Sequence, residues 1–480
     1  MQQGTGALTR KGEPMNKYIR LIKNISVFAV GTFTSKLLVF LLTPFYTSVL
    51  NPDDFGVVNL IVDTSNLILP IATICITDAV IRFGLDRSVN RSEVFTNGMM
   101  VILCGFGVML LFIPVILQIP IISEYTVLIY LFVLCSSLNS LCAQFVRAKG
   151  MVKLFAYSGI QNTAIMIIVN ILLLGIFRCG IYGYVISIIV ADLISAIFLF
   201  WIANLKRFLN FKRINKGLLR AMIAFSLPLI PTTLFWWVNT LSDKYIITYM
   251  LEDGKWVNGL YSAAHKLPTF ITMIAGVVMQ AWNISAVTED NAADKKRFYK
   301  NVFASYSGVI FMAASFVILF TKVITKILVA DSYYESWIFV PVLMLAIVFN
   351  CFSSFLASIY MVAKKNRVSM ITILVGAAVN VVLNLIMVPL WKGSGAAIAT
   401  FISCMLVFIL RAITTRQFIR FNMQLPKLAL NTLILITQAF VMILEVQYWI
   451  PIEIAFCVAM IGLNVGTLLN GVKSFLNMRR

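Results

Sequence analysis

Histidine is almost missing: His265 is the single one in 480 residues. Chemistry that needs two imidazoles, or one imidazole between a nucleophile and an acid, therefore has little to build on. Acidic residues are also few, 19 against 39 Lys and Arg, and charged residues together make up only 12% of the chain. A soluble domain with so little charge would present one continuous apolar patch to water. The eight cysteines form no CxxC pair and have no histidine beside them, which excludes the usual zinc and redox spacings. Cys135 and Cys142, seven apart in one apolar run, read as small buried apolar residues rather than as a disulfide. No catalytic residue, metal site or cofactor is expected.

What is present is apolar. Hydrophobic residues make up 60% of the chain and the mean hydropathy is +0.92. The apolar segments are each roughly 20 residues long, enough to cross about 30 Å of hydrocarbon as a helix. They fall at 21–49, 57–83, 95–118, 125–146, 155–177, 181–205, 221–250, 257–285, 302–328, 337–362, 368–390, 394–415, 428–447 and 450–472. The pattern predicts an all-α polytopic membrane protein of about 14 transmembrane helices.

A formal net charge of +20 raises the question of nucleic acid, but the placement of the charges answers it. Basic residues cluster at every second gap, as in Arg147/Lys149/Lys153, Lys206 to Arg220 and Lys364/Lys365/Arg367. With the N-terminus taken as cytoplasmic, about 31 of the 39 Lys and Arg lie inside. That alternation is the signature of a multi-pass membrane protein with both termini cytoplasmic; a basic groove for nucleic acid is not expected. Residues 1–14 read as a polar leader, and Met15 as a natural start.

The chain contains a weak internal repeat. Leu50-Asn-Pro-Asp-Asp-Phe-Gly56 is matched by Leu251-Glu-Asp-Gly-Lys-Trp-Val-Asn-Gly259, both acidic turns with glycine opening the next span. Asn170-Ile-Leu-Leu-Leu-Gly-Ile-Phe-Arg178 is matched by Asn384-Leu-Ile-Met-Val-Pro-Leu-Trp-Lys392, each followed by paired glycines. The offset corresponds to six spans, an even number, so the two units share one orientation: a parallel repeat. The expected organisation is a lobe of spans 1–6 over 15–205, a basic linker over 206–220, and a lobe of spans 7–12 over 221–420. Two further helices and a basic tail occupy 421–480.

Polar groups inside hydrocarbon are costly and mark pathways. Span 2 carries Asn59, Asp63, Asn66, Pro70, Thr73 and Thr77 at spacings of three and four, one polar stripe on a single helical face. Span 8 carries its counterpart, with Tyr261/Ser262, His265/Lys266, Thr269, Thr272, Gly276, Gln280 and Asn283. Counted from Gly56 and Gly259, Asp63 and Lys266 fall at equivalent positions. Both stripes must line one aqueous cleft or pack on polar partners; the cleft is the expectation, because both repeats carry a stripe, and Lys36 from span 1 and Asp243 and Lys244 from span 7 are further candidates for it. A bland alternative places Asp243 and Lys244 near the outer interface. Lys36 is expected to meet Asp63 or a bound anion. Asp78 and Arg82, four apart, read as an ion pair or a gate, and Asp192 as packing or a coupling-ion site. A lone His265 is more often a hydrogen-bonded wall residue than a proton carrier. Trp236, Trp237 and Trp282 are candidate platforms for sugar rings, and Trp256 an interfacial anchor.

At these residues a resemblance appears. Gly31-Thr-Phe-Thr-Ser35-Lys36-Leu-Leu-Val-Phe-Leu-Leu-Thr-Pro44 with Pro52-Asp-Asp-Phe-Gly56 resembles the opening of polysaccharide repeat-unit flippases, within the multidrug/oligosaccharidyl-lipid/polysaccharide exporter superfamily. Ser242-Asp243-Lys244 with Gly259-Leu-Tyr261-Ser-Ala-Ala-His265-Lys266 resembles that family's seventh-to-eighth-span signature. Arginine at the place of Lys244 and an aromatic at the place of His265 are more usual in the family. The resemblance implies alternating-access export of undecaprenyl-pyrophosphate-linked oligosaccharide, with membrane lipid and polysaccharide polymerase machinery as contacts. An anionic pyrophosphate suits a cleft holding Lys36, Lys244 and Lys266.

Three other readings stand beside it. A multidrug or cation exporter of the same superfamily calls for an acidic, aromatic cleft, whereas acids and lysines are mixed here. A membrane oligosaccharide polymerase or ligase needs a large outer loop, and no outer gap supplies one. A lipid-binding scaffold would keep the fold with an inert cleft.

Overall fold

The computed structural model describes residues 37–477 except 87, 212–213, 289–291 and 364. At 232, 235–240, 277, 280–281, 283–288, 292–295, 366 and 468–477 it describes the backbone alone. Among these residues all regular structure is helical. In chain order the helices are α1 (Thr43–Val49), α2 (Pro52–Thr73), α3 (Ile76–Gly84), α4 (Arg91–Leu110), α5 (Thr126–Ala148), α6 (Val152–Asn170) and α7 (Gly180–Ile202). After the linker come α8 (Lys216–Ser226), α9 (Leu229–Met250), α10 (Gly254–Ala264), α11 (Lys266–Thr288), α12 (Ala292–Leu319), α13 (Thr321–Leu328), α14 (Val340–Val362), α15 (Asn366–Thr414), α16 (Leu425–Leu444) and α17 (Trp449–Asn477).

Ten helical segments among the described residues are long and apolar enough to cross a membrane. One of them, 367–417, bends back at Trp391–Lys392, where Lys392 adopts φ 48° and ψ −132° and the adjoining glycines relax the turn. The chain is thus a multi-pass membrane protein.

Several predicted spans are two helices rather than one, and proline chemistry accounts for part of this. Pro268 cannot donate to the Ala264 carbonyl, so the predicted eighth span divides into α10 and α11 at His265. The predicted second span breaks at Ile74 and Cys75, both left-handed (φ 51° and 50°). There Cys75 N–H donates to Pro70 O and Ile74 N–H to Ile71 O, the paired bonds of a helix end normally built on glycine. The polar stripe therefore ends at Thr73, and Thr77 belongs to α3.

Asn51 opens α2 by accepting from the Asp54 N–H at 2.7 Å, with Pro52 at the first helical position and Asp53 and Asp54 in the first turn. At this end α2 crosses α10 with no side chain between the backbones. A Cβ on Gly259 would lie 1.9 Å from Pro52 O, and one on Gly56 2.4 Å from Lys255 O. Asn258 Nδ2 also donates to Gly56 O at 3.0 Å. The two glycines that the repeat pairs in sequence thus meet in space. Its two asparagines behave alike: buried Asn170 donates to Tyr46 OH on α1 (3.1 Å), and buried Asn384 donates to Asp243 on α9 (2.5 Å).

The basic linker is stapled to the start of α4. Phe208 O accepts from the hydroxyls of Ser92 (2.9 Å) and Thr96 (3.0 Å). Asn215 donates to Glu93 at 2.8 Å while capping α8 through the Leu218 N–H. At the other end of the chain α17 packs along α12, and α16 is bound to both by buried polar pairs: Asn431 with Asn464 of α17, and Gln438 with Ser315 of α12.

Candidate functional site

The polar residues of α2, α9 and α10–α11 converge. Asp63 projects from α2 seven residues past Gly56, where the backbone of α2 meets that of α10; Lys244 comes from α9 and meets it at 2.5 Å. The pair is 181 residues apart in sequence, and the side chains are 15% and 10% exposed. One helical position further on, Thr64 Oγ1 and Tyr245 OH share a hydrogen bond of 2.6 Å. Two consecutive residues of α2 thus hold two consecutive residues of α9.

Lys266, the first residue of α11, stands beside this pair, within electrostatic reach of Lys244 and Asp63. Its ammonium lies over the Phe55 ring, 5.6 Å from the centroid. Among the described residues Lys266 has no carboxylate of its own, so the cluster holds two ammonium groups against one acid. His265 sets its ring edge-on to Tyr261 with centroids 4.7 Å apart, as a wall residue. Asn66 is half-buried one turn beyond Asp63. Lys36 lies outside the described residues, as do the side chains of Gln280, Trp236 and Trp237.

Asp243 and Lys244 are both buried among the helices. Asp243 is 2% exposed and accepts from Tyr261 OH (3.0 Å), Asn384 Nδ2 (2.5 Å) and Thr400 Oγ1 (2.5 Å). Ser242 donates to Asn380 Oδ1 at 2.9 Å just beside it. Asn384 Oδ1 is buried with no partner. One carboxylate among hydroxyl and amide oxygens is a donor set suited to a hard cation or to a proton shared within the nest. Asn380 and Thr400 were missing from the sequence reading. The signal for them was the spacing of four between Asn380 and Asn384, which places both on one face of α15.

Other expected groupings do not form. Asp78 and Arg82 are both exposed on α3 and make no ion pair. Arg82 lies nearer Asp86, in the loop beyond α3. The Ser88 hydroxyl and amide hold the Asp86 carboxyl below its usual value, and Arg82 adds to the effect. Trp282 is a core residue and no sugar platform: it is 4% exposed, stacked on Phe355 at 4.7 Å, and its Nε1 donates to Ser358 Oγ at 2.8 Å. Trp256 packs partly buried against the same core. Asp192 sits among neutral donors, taking bonds from Ser136 Oγ and, at 2.9 Å each, from Asn139 and Asn162. The described cysteines are free, and Cys135 and Cys142 are buried. No cluster of three or more His, Cys, Asp or Glu occurs among the described residues.

Solved structures of membrane transporters share this fold. One titled as the lipid II flippase MurJ in an inward closed conformation aligns at a TM-score of 0.69 and 12% identity, covering 94% of this chain and 99% of its own. An inward-facing multidrug resistance transporter of the MATE family and MOP superfamily aligns at 0.66 and 14% identity, covering 80% and 94%. An outward-facing structure of that description aligns at 0.59 and 14% identity, covering 82% and 95%. No individually curated protein matches the chain by sequence. A family model described as "Polysaccharide biosynthesis protein" matches residues 21–283, more than half of the chain. The chain is a member of that polysaccharide biosynthesis protein family.

Proposed function

We propose that this protein flips undecaprenyl-pyrophosphate-linked oligosaccharide from the inner to the outer leaflet of a bacterial cytoplasmic membrane by alternating access. In this reading fourteen spans form two lobes, 15–205 and 221–420, joined by the basic linker 206–220 and followed by two helices of 421–480, with both termini cytoplasmic. The observation that carries it is Lys266: a cation held among apolar helices, beside a second lysine, with one carboxylate between the two. An uncompensated ammonium inside hydrocarbon is costly unless an anion visits it. A pyrophosphate is such an anion, and a cationic drug is not. The Asp63–Lys244 pair and the Gly56–Gly259 contact both join the first half of the chain to the second, so a change of access must open them.

The reading is tested in proteoliposomes with a fluorescent prenyl-pyrophosphate oligosaccharide and, in parallel, a cationic dye, each with and without an imposed ion gradient. Movement of the oligosaccharide lipid alone is expected. Movement of the dye alone would make the protein a drug exporter.

A further inference from the structure

A cavity of about 870 Å³ runs along the seam between the two halves of the chain, apart from the charged cluster. Ligand pockets commonly measure about 300–1,000 Å³, so its size is that of a binding site rather than a packing defect. Leu67 and Ile71 of α2 and Cys104 and Val108 of α4 form one wall; Ile223 of α8 and Leu241 of α9 belong to the other. It extends from Ile119, beyond the end of α4, to Ile223, close to the linker, and runs along the C-terminal half of α2 from Thr64 onward.

The lining is apolar except for a few hydroxyl-bearing residues, Thr64, Ser242 and Tyr245. Each is a sequence neighbour of a charged residue: Asp63, Asp243 and Lys244. The Thr64–Tyr245 hydrogen bond therefore forms the partition between a long apolar trough and a cationic cluster. An amphiphile whose anionic head met Lys244 and Lys266 would have its chain directed into the trough past that single pair of hydroxyls.

We infer that this cavity is the berth of the isoprenoid chain of the transported lipid. The inference rests on the flippase reading and adds to it a chain-binding site formed by α2, α4, α8 and α9. A single long chain fits one trough, whereas a phospholipid brings two chains and a head suited to the membrane surface.

The test places the photoreactive residue p-benzoylphenylalanine at Val108, which is 55% exposed, or at Ile197 on α7, which is 49% exposed, as the lipid-facing control. Full-length protein in nanodiscs is irradiated with tritiated undecaprenyl phosphate. Labelling at 108 is expected to exceed that at 197 by about tenfold, the factor for a preference of roughly 1.4 kcal/mol, and to fall on adding unlabelled polyprenyl lipid but not phosphatidylglycerol. Equal labelling at the two positions, or competition by phosphatidylglycerol, would mean that bilayer lipid fills the trough and would overturn the inference. A second variant, Cys104→Trp/Val108→Trp, fills the trough from two exposed positions without disturbing the core. It is expected to lose about tenfold in flipping of the long-chain substrate while still binding farnesyl pyrophosphate. Wild-type rates in that variant would overturn the chain site and leave the flippase reading intact. Absence of both labelling and flipping in the unfilled protein would overturn the flippase reading, and the chain site with it.

Discussion

Lys266 and Glu453 show two ways in which a single ionisable side chain can sit inside these helices. Lys266 stands beside other charges, and in the proposed function it receives the anion. Lys36→Ala/Lys266→Ala is therefore expected to abolish oligosaccharide-lipid transport with expression unchanged; full transport in this double variant would remove the anion site. Glu453, near the start of α17, is 0% exposed, and no hydrogen bond of ordinary geometry reaches either carboxyl oxygen, although Gln438 lies alongside. An amide of the same shape avoids any cost of burying charge there. Glu453→Gln is accordingly expected to raise stability by about 1–2 kcal/mol, read as a higher unfolding midpoint in detergent; a fall would show that the carboxylate has a partner it needs. At this scale the sequence was informative where a rule is local. The spacing of three and four singled out Asp63, and the paired glycines aligned it with Lys266. The partner of Asp63 was not legible, because Lys244 is 181 residues away and only the fold joins them. Trp282 was misread for the same reason: what makes it core is Phe355 and Ser358 on another helix.

Helices here approach as closely as their smallest residues allow, and α2 against α10 is the clearest case. Without a water-driven term between apolar helices in lipid, packing distance decides much of their association. Gly259→Ala would put a methyl group where Pro52 O now sits, at 1.9 Å, and backbone cannot yield as a side chain can. Overpacking of this kind costs about 1–3 kcal/mol. The expected result is an unfolding midpoint in detergent below that of the wild type for Gly259→Ala, with overall folding retained. An unchanged midpoint would mean that the two backbones are not held together at this point. The existence and rough limits of these helices were readable from apolar run length and charge alone. Their interruptions were only half readable. Pro268 announces the break at His265, but the left-handed pair Ile74–Cys75 carries no glycine, and nothing local distinguishes it from continuous helix.

Across the whole molecule, the seam between the two halves of the chain is closed by contacts of unequal kind. Glycine backbones meet at one level, and Asp63 with Lys244 and Thr64 with Tyr245 meet at the next. The steric contact is indifferent to charge, whereas the ion pair is a direct competitor for an anionic substrate. Lys244 is 8% exposed, so in the closed arrangement Asp63 serves as its counter-ion inside hydrocarbon. In the proposed flippase cycle a pyrophosphate at Lys266 takes over that role, and the seam then loses one of its bonds as a consequence of binding. This gives a specific expectation for Asp63→Asn. Breaking a buried pair from one side leaves a bare charge and typically costs about 3–5 kcal/mol, so the unliganded variant should unfold at a lower temperature than wild type. Farnesyl pyrophosphate should then stabilise the variant more than the wild type, because binding no longer has to displace the native carboxylate. A ligand at about 100 times its Kd contributes about 2.7 kcal/mol, enough to move a melting curve visibly. Thermal unfolding in detergent across a farnesyl pyrophosphate titration measures both effects. Equal stabilisation of the two proteins would mean that Asp63 and the anion do not share Lys244, and that the seam opens for some other reason than exchange of its counter-ion.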